Sequence, residues 1–153
     1  MSDMTFSDDL LAFIKLAEGC RLTAYQDSDE TWTIGYGHTG VHAGMVITQD
    51  QAEQLLRNDL YKFQLAVNDL VTVDLQQCQF DALVDFAFNC GSGNLQNSTL
   101  LKDINAGNFD DAVLQFPRWD RSGGIVIPGL LKRRNAEVAL FTGGDWQSIL
   151  SGG

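Results

Sequence analysis

Three residues in the first quarter of the chain have the types and spacing that cleavage of a glycosidic bond requires. Eight residues separate Glu18 from Asp27, and five separate Asp27 from Thr33, which opens the run Thr33-Ile34-Gly35-Tyr36-Gly37-His38. Such a cleavage needs one carboxylic acid to protonate the leaving oxygen and a second group to activate or position water on the opposite face of the sugar ring. The acid must arrive protonated, which an apolar setting favours. Glu18 follows an apolar stretch, whereas Asp27 sits in the polar cluster Asp27-Ser28-Asp29-Glu30, so the two surroundings differ in the direction this chemistry needs. The Thr33 hydroxyl is suited to holding a water. The pair of carboxylates by itself does not distinguish this cast from solvated surface groups beside a turn.

The elements that must position these residues follow from capping signals and hydrophobic period. Ser7 is a good N-cap for a helix over 8–17, Asp8 and Asp9 complement its positive end, and Phe6 with Leu11 forms a hydrophobic staple. Leu10, Phe13, Ile14 and Ala17 make its apolar face, and Gly19 stops it. Residues 22–40 mix Thr, Tyr, Trp and Ile with Gly and predict two or three short strands with a polar turn. Thr48-Gln49-Asp50-Gln51 is a capping box, and the helical period runs on to Leu70. Further helices are expected over 75–89 with Asp74 as cap, near 98–106, over 109–116 up to Pro117, and over 130–141. The stretch from Ala82 to Phe88 is nearly all apolar and predicts a central buried helix. A helix, a small sheet and then many helices make an α+β pattern.

Size and charge narrow the function. A chain of 153 residues with 44% hydrophobic content suits one domain, 1–153, with a real core. A net charge of −10 argues against nucleic acid as a partner and against long-range attraction to anionic wall polymers. The N-terminus is acidic and lacks the basic start and apolar run of a signal peptide, and no segment has membrane-spanning length. The expectation is synthesis in a cytoplasm, with release by another component if the target lies outside. Cys20, Cys78 and Cys90 form no C-x-x-C pair and no disulfide framework; Cys78 and Cys90 are expected to be small buried hydrophobes. Lys132-Arg133-Arg134 is the only tight basic group.

The spacing Glu18, Asp27, Thr33, followed by Ile-Gly-Tyr-Gly-His, resembles the phage lysozyme family that includes the T-even and lambdoid prophage endolysins, glycoside hydrolase family 24. The likeness extends through Phe86-Ala87-Phe88-Asn89-Cys90-Gly91, Asn97-Ser98-Thr99, Phe116-Pro117-Arg118-Trp119 and Pro128-Gly129-Leu130-Leu131-Lys132-Arg133-Arg134. The chain departs from the family in its strong acidity, and the N-terminal signal-anchor of some members is not expected for it. The resemblance implies a lysozyme-like fold: a small β lobe over 18–47, a bridging helix over 48–70, and an α lobe from 1–17 and 71–153, with a cleft between. It implies a monomer without cofactor or metal that hydrolyses the β-1,4 bond between N-acetylmuramic acid and N-acetylglucosamine in peptidoglycan glycan strands. A holin is the implied release partner. Glu18 is then the acid, and Asp27 with Thr33 handles water. Resemblance to the T-even enzymes favours inversion, for which the carboxyls stand about 6.5–9.5 Å apart.

The resemblance also places Phe88, Asn89, Ser98 and Arg133 at the substrate. Core packing remains open for Phe88, and a helix-end polar role for Asn89 and Ser98. Arg133 either reaches and orients Glu18 or shares a solvated helix face, the face expected for Lys132 and Arg134. Trp119 is expected in the core, while Trp32 and Tyr25 are undecided. His38 is expected to pair with Asp59. Gly35-Tyr36-Gly37-His38-Thr39-Gly40 matches a dinucleotide fingerprint literally but opens no helix, and His38 with His42 lacks the Glu of a zinc helix. Two competing functions are a lytic transglycosylase, which uses an acid without activated water, and a non-catalytic wall-binding domain.

Overall fold

The computed structural model describes residues 3–152. Helix α1 (Asp8–Glu18) starts where Ser7 accepts the Leu10 N–H at 3.4 Å, and it ends at Gly19, whose φ is +67°. It runs one residue beyond the expected stop, so Glu18 is its last residue. Strands β1 (Arg21–Gln26), β2 (Trp32–Gly35) and β3 (His38–Thr39) then form an antiparallel sheet in that order. The chain comes back along the free edge of β1, where Ala24 and Met45, then Ile47 and Leu22, exchange backbone bonds of 2.9 Å.

Helix α2 (Gln49–Leu70) begins at the capping box read from the sequence: Thr48 accepts the Gln51 N–H at 3.1 Å, and Gln51 accepts the Thr48 N–H at 2.8 Å. Its buried residues Ala52, Leu56, Leu60, Gln64 and Val67 make one stripe at helical spacing. Ala52 abuts Gly35, where a Cβ would stand 3.4 Å from the alanine methyl, so the start of α2 lies directly against the sheet.

Helix α3 (Gln77–Cys90) is the centre of the core, with every residue from Phe80 to Ala87 buried. It packs chiefly on α2 and on α7 (Pro128–Phe141). Burying each of Phe80, Leu83 and Phe86 contributes about 1.5–3 kcal/mol. Two aromatic rings meet Phe86 edge-on, Trp119 at 5.3 Å and Phe116 at 6.0 Å, so Trp119, partly buried, packs against the core. The expected start of α3 needs correction: it begins at Gln77, not Leu75, and Gln79, not Asp74, closes it by accepting the Gln76 N–H at 2.8 Å.

Shorter elements complete the chain: α4 (Ser92–Gln96), α5 (Thr99–Asn105), α6 (Phe109–Val113), the hairpin β4 (Arg121–Ser122) and β5 (Ile125–Val126), then α7 and α8 (Trp146–Ser151). Helix α6 stops at Val113, short of the expected Phe116, because the chain tightens into a 3-10 turn over Phe116–Arg118. Helix α7 starts two residues early, with Pro128 at its first position, where a missing N–H costs nothing. Helix α8 docks on α1 through Trp146, 5.4 Å from Phe13. The result is a small sheet, a long helix behind it and a larger helical body. Among the described residues, no helix is long and apolar enough to cross a membrane.

Candidate active site

Glu18 stands where α1 ends and the chain turns into the sheet. Its side chain is 22% exposed and borders a groove of about 430 Å³ that runs between the sheet and the helical body. Gly37, His38, Asp59, Phe88 and Asn89 line the same groove. The expected apolar surroundings of Glu18 are replaced by an ion pair: Arg133 Nη1 donates to Glu18 Oε2. The other carboxylate oxygen faces the β2–β3 turn, where a Cβ on Gly37 would stand 2.7 Å from Oε1. Arg133 therefore does reach Glu18, and it holds the carboxylate by one oxygen.

Arg133 is fixed from behind. Its Nε and Nη2 donate to Asp85 Oδ2 and Oδ1 at 3.1 and 2.7 Å, a two-pronged contact inside the core. Burial alone would raise the Asp85 carboxyl, but the Arg133 charge, a hydrogen bond from Glu137 and the Arg133 donors hold it below the usual carboxylate range. Burial works against the charge on Arg133 too, and Asp85 and Glu18 override it and raise the guanidinium above its ordinary value.

Asp27 and Thr33 lie together on the β1–β2 hairpin. Thr33 pairs with Tyr25 and Gln26 with Trp32, and Asp27 follows the end of β1 at the start of the turn; neither Asp27 nor Thr33 is among the residues that line the groove beside Glu18. Asp27 Oδ1 accepts the N–H groups of Asp29 and Thr31, each at 2.9 Å, which folds the polar turn around one carboxylate oxygen. No protein donor reaches Oδ2 among the described residues. Thr33 is 3% exposed, and its hydroxyl donates to the Thr31 carbonyl at 3.0 Å, leaving lone pairs that can accept from a water.

The remaining expected residues separate. Phe88 lines the groove and also meets Phe63 edge-on at 5.6 Å, so its wall and packing roles coexist. Asn89 lines the groove and accepts Arg134 Nη2 at 2.7 Å. Ser98 is 3% exposed and serves as the N-cap of α5: it accepts the Leu101 N–H at 3.0 Å and donates to the Leu95 carbonyl at 2.7 Å. It does not line the groove. The pairing of His38 with Asp59 is present, Nδ1 to Oδ2 at 2.8 Å. Arg134 contradicts the solvated face expected for it: it is fully buried, 2.8 Å from Glu137. A helix carrying Lys132-Arg133-Arg134 turns about 100° per residue, so only one of the three can face solvent freely when both neighbours point at α3. Cys78 and Cys90 are half-buried, not sealed in the core, and Cys90 packs its thiol on Arg134. Burial pushes that thiol up to about 11 despite the guanidinium.

Sequence reasoning missed Asp85, Glu137 and Gly37. Asp85 is the one carboxylate between Ala82 and Phe88, and a lone acid inside a buried apolar helix demands a cationic partner. A second groove, of about 410 Å³, opens on the other side of Glu18 and Asn89 and is bordered by Ile127, Leu130 and Lys132. A groove near Met4, Val67, Asn68 and Phe80 brings together none of the candidate residues.

The family model described as Phage lysozyme matches residues 15–137, which include Glu18, Asp27, Thr33, Asp85 and Arg133. The endolysin of Bacillus phage B103 is 46% identical over 95% of this chain, and the chain spans 57% of that protein's length. The endolysin of Acyrthosiphon pisum secondary endosymbiont phage 1 is 43% identical, with 90% of this chain and 98% of the relative covered. Among solved structures, the muramidase domain of SpmX from Asticaccaulis excentricus aligns with a TM-score of 0.84 at 39% identity, covering 90% of this chain and 97% of that one. The fold is lysozyme-like, as the sequence led one to expect.

Proposed function

This chain belongs to the phage lysozyme family, and from that premise we propose that it is a muramidase that hydrolyses the β-1,4 bond between N-acetylmuramic acid and N-acetylglucosamine in peptidoglycan. The observation that carries the reading is the setting of Glu18. A carboxyl at a helix end, tethered by one oxygen to Arg133 and open to a groove on its other side, is placed to give a proton to a glycosidic oxygen. In the proposed step, Glu18 protonates the leaving oxygen of N-acetylglucosamine as the bond to the muramic anomeric carbon breaks. Water adds to that carbon, and its proton passes to Asp27. Thr33 accepts a hydrogen bond from the same water. The sugar inverts in this single displacement. Phe88 and Asn89 form the groove wall against the glycan, and Arg133, bonded to Glu18, orients the acid.

The experiment is digestion of purified peptidoglycan by the parent and by Glu18→Gln. The parent should release reducing muramic ends with inverted anomeric form, read by mass and by NMR. Glu18→Gln should release none while keeping its circular dichroism spectrum. Anhydro-muramic ends from the parent would establish a lytic transglycosylase instead. Wall binding without any released ends would establish a binding domain.

A further inference from the structure

Two arginines of α7 hold two residues of the groove, and both are gripped from behind by carboxyls that do not line it. Arg133 joins Glu18 to Asp85. One turn of side chain away, Arg134 joins Asn89 to Glu137: its Nη2 lies 2.7 Å from Asn89 Oδ1 and 3.0 Å from Glu137 Oε2, and its Nε lies 2.8 Å from Glu137 Oε1. Asp85, Arg134 and Glu137 have no exposed surface. The two arms end on Glu18 and Asn89, the residues that border both grooves.

On the cleavage reading above, we propose that Asp85 and Glu137 are positioning residues for that reaction: Asp85 sets the guanidinium that orients Glu18, and Glu137 sets the one that holds Asn89 at the groove wall.

Charge balance supports this. Two guanidiniums face two buried carboxyls, Asp85 and Glu137, while the third carboxyl, Glu18, keeps 22% of its side chain exposed at the groove. Burial raises Glu137 well above its ordinary value, the hydrogen bond to Asp85 and that residue's charge add to the rise, and Arg134 opposes it. Asp85 moves the other way. The two carboxyls thus respond to each other's charge, which couples the two arms. The Cys90 thiol, raised to about 11, adds no charge near neutrality. From the neighbouring elements, Glu18 of α1 faces Arg133, Lys132 of α7 stands on the second groove, and Asp59 and Lys62 of α2 border the first. A cluster that served stability alone gains little over apolar packing of similar volume, so its two arms toward the groove call for a positional role.

The test compares parent, Asp85→Asn, Glu137→Ala and Glu137→Gln on purified peptidoglycan, with kcat expressed per folded molecule. Asp85→Asn should lower kcat roughly tenfold or more while KM changes little, since a displacement near 1 Å at a reacting group costs that much. Its alkaline limb of the pH–rate profile should move to lower pH, because a negative charge has left the surroundings of the Glu18–Arg133 pair. Glu137→Ala should lower kcat, and Glu137→Gln, which keeps an acceptor for Arg134 Nη2, should restore most of it. If Asp85→Asn does not fold, Asp85→Glu keeps the charge and shifts the oxygens by one methylene, and the same loss of kcat is expected. Variants that lose only stability, with parental kcat and pH profile per folded molecule, overturn the positioning role. A Glu137→Ala variant with parental kcat, or a Gln variant no better than Ala, overturns the arm that runs through Arg134 to Asn89. A parent that releases no sugar ends overturns the cleavage reading itself, which the variants' failure would leave intact.

Discussion

Gly37 and Glu18 touch across the mouth of the groove: a methyl group on Gly37 would stand 2.7 Å from Glu18 Oε1 and 3.5 Å from its carboxyl carbon. Gly37 also has a φ of +85°, a region that costs an L side chain roughly 1–2 kcal/mol. The clashing atom is the free end of a side chain, so Gly37→Ala should fold and yield by pushing Glu18 aside. The expected outcome is a modest drop in melting temperature and a loss of peptidoglycan cleavage of roughly tenfold or more. Parental cleavage by the alanine variant would mean that Oε1 does not need its present position.

The His38–Asp59 contact ties the end of the sheet to α2 at the edge of the same groove. Both side chains keep more than a quarter of their surface in solvent, so screening limits the pair to about 0.2–1 kcal/mol. Asp59→Asn should therefore lower unfolding stability by that amount in dilute buffer and by less in 1 M salt, as urea titrations at the two ionic strengths would show. A cost that is large and indifferent to salt would mean that packing, not charge, holds this corner.

Asp81 fastens the start of α1 to α3. It accepts the Ser7 hydroxyl, the Ser7 N–H at 3.2 Å and Gln77 Nε2 at 2.9 Å. Burial raises its carboxyl above the ordinary value, and the Ser7 and Gln77 bonds only partly offset this. The folded state thus keeps the proton to higher pH than the unfolded state, so the contribution of this group is full in acid and falls as pH rises through the raised value. Asn at this site offers one acceptor to three donors and should cost about 1–3 kcal/mol. That cost should be larger near pH 4 than at pH 7, measured by urea unfolding of parent and Asp81→Asn. The opposite trend would refute the upward shift.

What the sequence discloses, and what it hides, follows from how local each signal is. The boundaries of α2 were readable because Thr48 and Gln51 cap it with their own side chains, and its apolar stripe repeats for six turns. The Glu18, Asp27 and Thr33 group was readable because its spacing lies within one segment. Helix α8 and the β4–β5 hairpin are too short to show a period, and the start of α3 was misjudged because Asp74 is a better cap in isolation than Gln76. The partners of Glu18 lay hidden for a different reason. Arg133 is 115 residues away and Asp85 is 48 from Arg133, so only packing brings them together. A lone Asp in an apolar helix and a basic triplet elsewhere were each visible, but nothing local joined them.

Lys132 and Arg134 test that distinction directly, because they share a sequence motif and differ in structure. Lys132 stands half-buried on the rim of the second groove, whereas Arg134 is sealed between α3 and α7 with Asn89, Cys90 and Glu137 around it. Removing the guanidinium would leave a buried amide oxygen and a carboxyl without their donors and open a side-chain-sized void. Arg134→Ala should cost roughly 3–5 kcal/mol, while Lys132→Ala should stay within about 0.5 kcal/mol of the parent. Urea unfolding of the two variants at one pH decides the matter. Equal costs, or a larger cost at Lys132, would show that the basic triplet is a solvated face after all and that the buried network does not hold α7 to α3.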